Sequence, residues 1–128
     1  MFSMCNTCIV ILHVADSLPD GSLEQKEIRN HAKDKILELA NKGDACAQNN
    51  LGLMYAKGRG VARSDEKAVE WVLKAAEQGL ASAQYNLGCM YRDGHGVERS
   101  HVKAVEWFKK AAEQGDEDAM EELGLYGW

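Results

Sequence analysis

Gly43 to Gln78 reads GDACAQNNLGLMYAKGRGVARSDEKAVEWVLKAAEQ, and Gly79 to Gln114 reads GLASAQYNLGCMYRDGHGVERSHVKAVEWFKKAAEQ. Set against each other at an offset of 36, the stretches agree at 24 of 36 positions, so the chain is a repeat array. A third copy opens at Gly115, with Ala119, Leu123 and Gly124 in register before Trp128. Periods of about 33 to 45 residues built on small and aromatic positions mark helix-pair solenoids, in which each unit buries its apolar face by stacking on its neighbours. The predicted fold is an all-α solenoid of antiparallel helix pairs. It divides into an apolar segment and turn (1–22), a capping helix (23–42), two full repeats (43–78 and 79–114) and an acidic half repeat (115–128).

The 128 residues, 45% hydrophobic and 27% charged, fit one globular domain rather than a disordered chain. Of the 20 acidic residues, Asp116, Glu117, Asp118, Glu121 and Glu122 lie beyond residue 114 with no base among them; the other 15 match the 15 Lys and Arg. The net charge of −5 is therefore the charge of one end. No basic stripe is present to neutralise phosphates, which argues against a nucleic-acid binder. Acidic residues in the first turn of a helix suit its dipole and keep an open solenoid end soluble.

Ala47, Leu51 and Tyr55 recur every four residues and form one stripe of a helix over 44–57. Gly52 beside the stripe admits a neighbouring backbone, and Gly58 is placed as a left-handed cap. The turns Gly58-Arg59-Gly60-Val61 and Gly94-His95-Gly96-Val97 lead to Ser64 and Ser100, which cap second helices ending near Glu77 and Glu113. Ala68, Trp71, Val72 and Ala75, repeated as Ala104, Trp107, Phe108 and Ala111, make their inner stripes. Glu70 with Lys74 and Glu106 with Lys110 are spaced as exposed ion pairs.

Opposite the Ala47 stripe lie Cys46, Asn49, Leu53 and Ala56, which become Ser82, Tyr85, Cys89 and Arg92 in the second copy and Asp118, Glu121, Leu125 and Trp128 in the third. This face changes from copy to copy while the stripe does not. Read as a concave surface, it supplies the candidate protein-binding residues Asn49, Leu53, Tyr85, Cys89, Arg92, Glu121 and Leu125, since an exposed row of Leu, Tyr and Arg has the composition of an interface centre.

The pattern resembles the Sel1-like repeats, a subclass of tetratricopeptide-like helical repeats. It rests on Ala47-Gln48, Leu51-Gly52, Tyr55, Gly58, Gly60-Val61, Ala68, Trp71, Lys74-Ala75-Ala76 and Gln78-Gly79, all recurring 36 residues later. The resemblance covers roughly residues 43 to 124. It implies a right-handed superhelix acting as a non-catalytic adaptor or scaffold, with first-helix residues lining a groove for a protein or peptide partner. One branch of the family is secreted, carries a disulfide within each repeat and is linked to penicillin binding or hydrolysis. Here Cys46 and Cys89 stand singly at different offsets, which departs from that branch.

Ala32, Ala40 and Gly43 match Ala68, Ala76 and Gly79, so residues 28–42 read as a degenerate second helix, with Ser22 and Gln25 as a capping box. Leu23, Ile28, Ala32, Ile36 and Leu39 are spaced to cover the first full repeat. Cys8 to Ala15, CIVILHVA, is too short to span a bilayer and lacks the cationic start of a signal peptide, so the expectation is a cytoplasmic rather than a secreted chain. The segment reads as a degenerate helix more than a strand. Together with Tyr126 and Trp128 at the far end it offers a route to a homo-oligomer, the alternative to an adaptor; a secreted β-lactam-binding module is a weaker third reading.

Cys5 and Cys8 have the spacing of a redox or zinc pair but no second pair and no βαβ context, and His95 and His101 have no partner suggested by the repeat. The Gly-x-Gly turns follow helices and close them, whereas phosphate cradles follow strands and open helices. Nothing in the pattern supplies a nucleophile, a general base, a metal site or a cofactor site, and the expected class is a non-enzyme without cofactor.

Overall fold

Serine or aspartate caps four of the described helices, Leu80 opens another without a side-chain cap, and glycine closes the first helix of each full repeat. In the computed structural model the described residues are 23–125, and they form six α-helices in the order α1 (Leu23–Asn41), α2 (Ala45–Lys57), α3 (Asp65–Glu77), α4 (Ala81–Asp93), α5 (His101–Glu113) and α6 (Glu117–Leu125). No strand occurs among the described residues. The Ala47 amide donates to Asp44 Oδ1 at 2.9 Å and the Ala119 amide to Asp116 Oδ1 at 2.9 Å. Ser64 and Ser100 accept from the amides of Lys67 and Lys103, as their positions predict. Gly58 and Gly94 end α2 and α4 at φ of 68° and 74°, a left-handed conformation that a side chain would strain.

Each second helix packs between its own first helix and the first helix of the next pair. Ala68, Val72, Ala75 and Ala76 of α3 join Ala83, Leu87 and Met90 of α4 in one cluster. One repeat earlier, Ile36 and Ala40 of α1 join Ala47, Leu51 and Met54 of α2, so α1 packs on the first full repeat as the spacing predicts. One repeat later, Ala104, Phe108 and Ala111 of α5 gather Tyr85, Cys89 and Ala119. The shared 36-residue sequence thus becomes a shared packing unit, and the array is an all-α helical-repeat solenoid.

Close approach explains the glycine beside the stripe. A Cβ on Gly52 would lie 2.5 Å from Val72 Cγ2 and 2.9 Å from the Ala68 carbonyl oxygen, and one on Gly88 would lie 2.6 Å from the Phe108 ring. The notch receives the large residue of the repeat's own second helix. The second glycine of each turn rests on the preceding unit: a Cβ on Gly60 would meet Lys33 Cδ at 3.4 Å, and one on Gly96 would run into the Asp65 carbonyl.

Two expectations change. Trp71 and Trp107 are half-buried rather than core, because they stand at the edge of the stripe; Lys74 Nζ lies 4.3 Å and Lys110 Nζ 4.4 Å from their ring centroids. Those lysines therefore cover aromatic faces in cation–π contacts instead of pairing with Glu70 and Glu106. The capping box at Ser22, the CIVILHVA segment, Cys5, Cys8, Tyr126 and Trp128 lie outside the described residues.

Candidate functional site

The face built from the variable positions is not an open row. Asn49 and Cys89 are fully buried, Leu53 is 2% exposed and Tyr85 6% exposed. This corrects the expected exposure of these four candidates. The physical reason is visible in their partners: successive first helices stand side by side, and the residues turned away from the stripe meet across that junction. Asn86 Nδ2 donates to Asn49 Oδ1 at 3.0 Å, joining α4 to α2. Tyr85 tilts against Phe108 with ring centroids 5.8 Å apart and shares its cluster with Cys89 and with Ala119 of α6.

Arg92, Glu121 and Leu125 complete the seven candidates. The Arg92 side chain is 21% exposed; its Nη1 lies 2.7 Å from Glu122 Oε2, and its Nε and Nη2 donate to the two Asp93 carboxylate oxygens at 3.0 Å each. Glu121 is exposed beside this ion-pair cluster. Leu125 closes α6, but its side chain lies outside the described residues. Around Arg92, Asp93 is held below the ordinary carboxylate range by its hydrogen bonds to the guanidinium. Burial raises the Tyr85 phenol and, with the same first cause, the Cys89 thiol, so neither ionises near neutral pH.

A second polar feature is a clamp that stripe reading overlooks. Gln48 Nε2 donates to the Ala40 carbonyl at 3.2 Å, and Gln78 Nε2 donates to Gln48 Oε1 at 2.7 Å. The next repeat copies this, with Gln84 bonded to the Ala76 carbonyl and Gln114 to Gln84. The sequence signal is glutamine at both offsets in both copies. In the third copy Met120 takes the place of Gln48 and Gln84 and is 49% exposed.

The cysteines also part company: Cys89 is buried and free, whereas Cys46 takes part in a disulfide. Among the described residues no group of three or more His, Cys, Asp or Glu is gathered in metal-binding geometry, and no helix is long and apolar enough to cross a membrane.

Solved structures similar to this chain carry the same array. A Sel1 repeat protein from Oxalobacter formigenes is 36% identical with a TM-score of 0.73, covering 90% of this chain and 44% of its own. The protective antigen c5321 of uropathogenic Escherichia coli, which displays an SLR fold, is 36% identical with a TM-score of 0.75, covering 92% of this chain and 24% of its own. Cysteine-rich protein B of Helicobacter pylori is 25% identical with a TM-score of 0.69, over 72% of this chain and 69% of its own. The chain thus spans less than half the length of the first two. No curated protein matches it. The Sel1 repeat model matches residues 47–80 and 81–116, so the chain belongs to the Sel1 repeat family.

Proposed function

We propose that this chain is a non-catalytic adaptor that holds a segment of a protein partner on the face shared by α2, α4 and α6. Sel1 repeat proteins are commonly protein-interaction scaffolds and typically non-catalytic, which supports the class. The observation that carries the finer reading is where the variable face reaches solvent: at Ser82, Arg92, Asp118 and Glu121. The buried candidates Asn49, Leu53, Tyr85 and Cys89 act beneath that surface, fixing the spacing of the first helices. What remains for a partner is a polar, mixed-charge rim, a composition suited to orientation and specificity.

Photo-crosslinking residues placed singly at Ser82 and Glu121, and as controls at Glu70 and Glu106 on the opposite helices, test the reading. Partner adducts are expected at the first two sites only. Equal labelling at all four, or labelling confined to Glu70 and Glu106, overturns the assignment of the face.

A further inference from the structure

The last residue of α4 is Asp93 and the next is Gly94, the Asp-Gly pair of the described residues. In such a pair the side-chain carboxyl precedes an amide that no Cβ screens, so the glycine nitrogen can attack the aspartate Cγ. A C–N bond forms and water leaves, made of the carboxyl hydroxyl and the amide proton, and a five-membered succinimide results. Water then opens the ring at either carbonyl. Opening at the aspartate's main-chain carbonyl routes the chain through Cβ and Cγ as an isoaspartyl linkage. One water is lost and one regained, so the step needs no oxidant or cofactor.

Both reacting groups are held here. The Gly94 amide donates to the Met90 carbonyl at 2.8 Å, closing α4. Both Asp93 carboxylate oxygens accept from Arg92, through Nε and Nη2, at 3.0 Å each. The remaining guanidinium nitrogen, Nη1, lies 2.7 Å from Glu122 Oε2 on α6, which anchors the clamp from a second helix. The hydrogen bonds from Arg92 lower the Asp93 pKa, so the neutral carboxyl that the attack requires is scarce. Asp93 and Gly94 are nonetheless exposed, and water reaches them. The first copy has Ala56 and Lys57 where the second has Arg92 and Asp93, so the reactive pair and its clamp occur together.

We propose that Asp93-Gly94 is a site of isoaspartyl modification and that Arg92 guards it. The modification lengthens the main chain where α4 meets the turn 94–97. In that turn Gly96 sits so close to the Asp65 carbonyl that a Cβ would run into it. The added methylene therefore changes how the second turn seats on α3, whether or not a partner occupies the rim beside it.

The test ages the full chain, folded, in mildly acidic buffer as wild type, Arg92→Ala, Arg92→Lys and Glu122→Gln, with circular dichroism confirming helicity. Enzymatic methylation counts isoaspartate, and peptide mapping separates Asp93 from Asp20, which precedes Gly21. Arg92→Ala is expected to accumulate isoaspartate at Asp93 about tenfold faster than wild type, the gain in neutral carboxyl that a rise of about one pKa unit gives. Arg92→Lys, a point charge without the fork, is expected to fall between them. Glu122→Gln keeps the clamp and is expected to follow wild type, and in denaturing urea all four are expected to react at one rate. Equal rates for folded wild type and both Arg92 variants overturn the guard. So does Glu122→Gln as fast as Arg92→Ala, which assigns the protection to the α4–α6 junction. Urea-unfolded chain without isoaspartate at Asp93 overturns the site itself.

Discussion

The junction between α2 and α4 and the junction between α4 and α6 occupy the same place in successive repeats and are built from different chemistry. The first uses a buried amide pair, Asn49 with Asn86. The second places the small Cys89 of α4 in one cluster with Ala119 of α6 and adds an ion pair from Arg92 to Glu122, while Tyr85 packs on Phe108 of α5 within its own repeat. Residues that vary between copies are therefore not thereby free: Asn49 is held by Asn86, and Arg92 by Glu122, of the next first helix.

The largest effect that tests this comparison comes from the residues filling the two notches. Phe108→Ala should cost about 3 to 5 kcal/mol, because it opens a cavity shared with Tyr85, whereas Val72→Ala should cost about 2 kcal/mol. Urea unfolding monitored by circular dichroism measures both. Equal losses would mean that the second repeat draws no particular stability from its aromatic pair.

Next is the amide pair. Asn49→Leu or Asn86→Leu alone removes this bond between buried amides and should cost about 1 to 3 kcal/mol, while the double substitution should cost less than the sum of the two. A double-mutant cycle that shows strict additivity would break the claim that the two asparagines are matched.

The ion-pair cluster is smaller and depends on conditions. Arg92→Ala should cost about 1 kcal/mol or less, since both partners retain some exposure to solvent. Asp93 has a lowered folded-state pKa, so its contribution is complete above the ordinary Asp range and is lost as pH falls through that lowered value. Between about pH 6 and about pH 3, wild type should lose more stability than Arg92→Ala, in which Asp93 has no guanidinium to protect. Parallel pH profiles would remove the cluster from the second junction's chemistry. Smallest is Lys110→Ala, which uncovers the Trp107 ring and should lower stability by about 0.5 to 1 kcal/mol, with the same result for Lys74→Ala over Trp71.

Much of the fold was legible because its signals are local and periodic. The 36-residue identity, Ser64 and Ser100 as caps, Gly58 as a left-handed terminator and Gly52 as a point of close approach each follow from one stretch of chain and one physical rule. The candidate site was legible only in part. Position around a helix puts Tyr85 and Cys89 on one side, where they share a cluster, but does not tell that a neighbouring helix lies against Asn49, since lateral spacing between pairs leaves no periodic trace within a repeat. The lysines over Trp71 and Trp107 were obscured for a related reason: position i+4 from a glutamate and i+3 from a tryptophan coincide at Lys74, and spacing alone does not choose between them.

The contact of Gly60 with Lys33 and of Gly96 with Asp65 gives the turns a role in the shape of the whole array. At the first contact a flexible lysine stem can yield; at the second a main-chain carbonyl cannot. The advance from one helix pair to the next is thus gauged at loop tips, outside the apolar interior. Lengthening or bulking those tips would change how tightly the array coils while leaving each pair intact, so curvature and core can diverge independently among arrays of this kind.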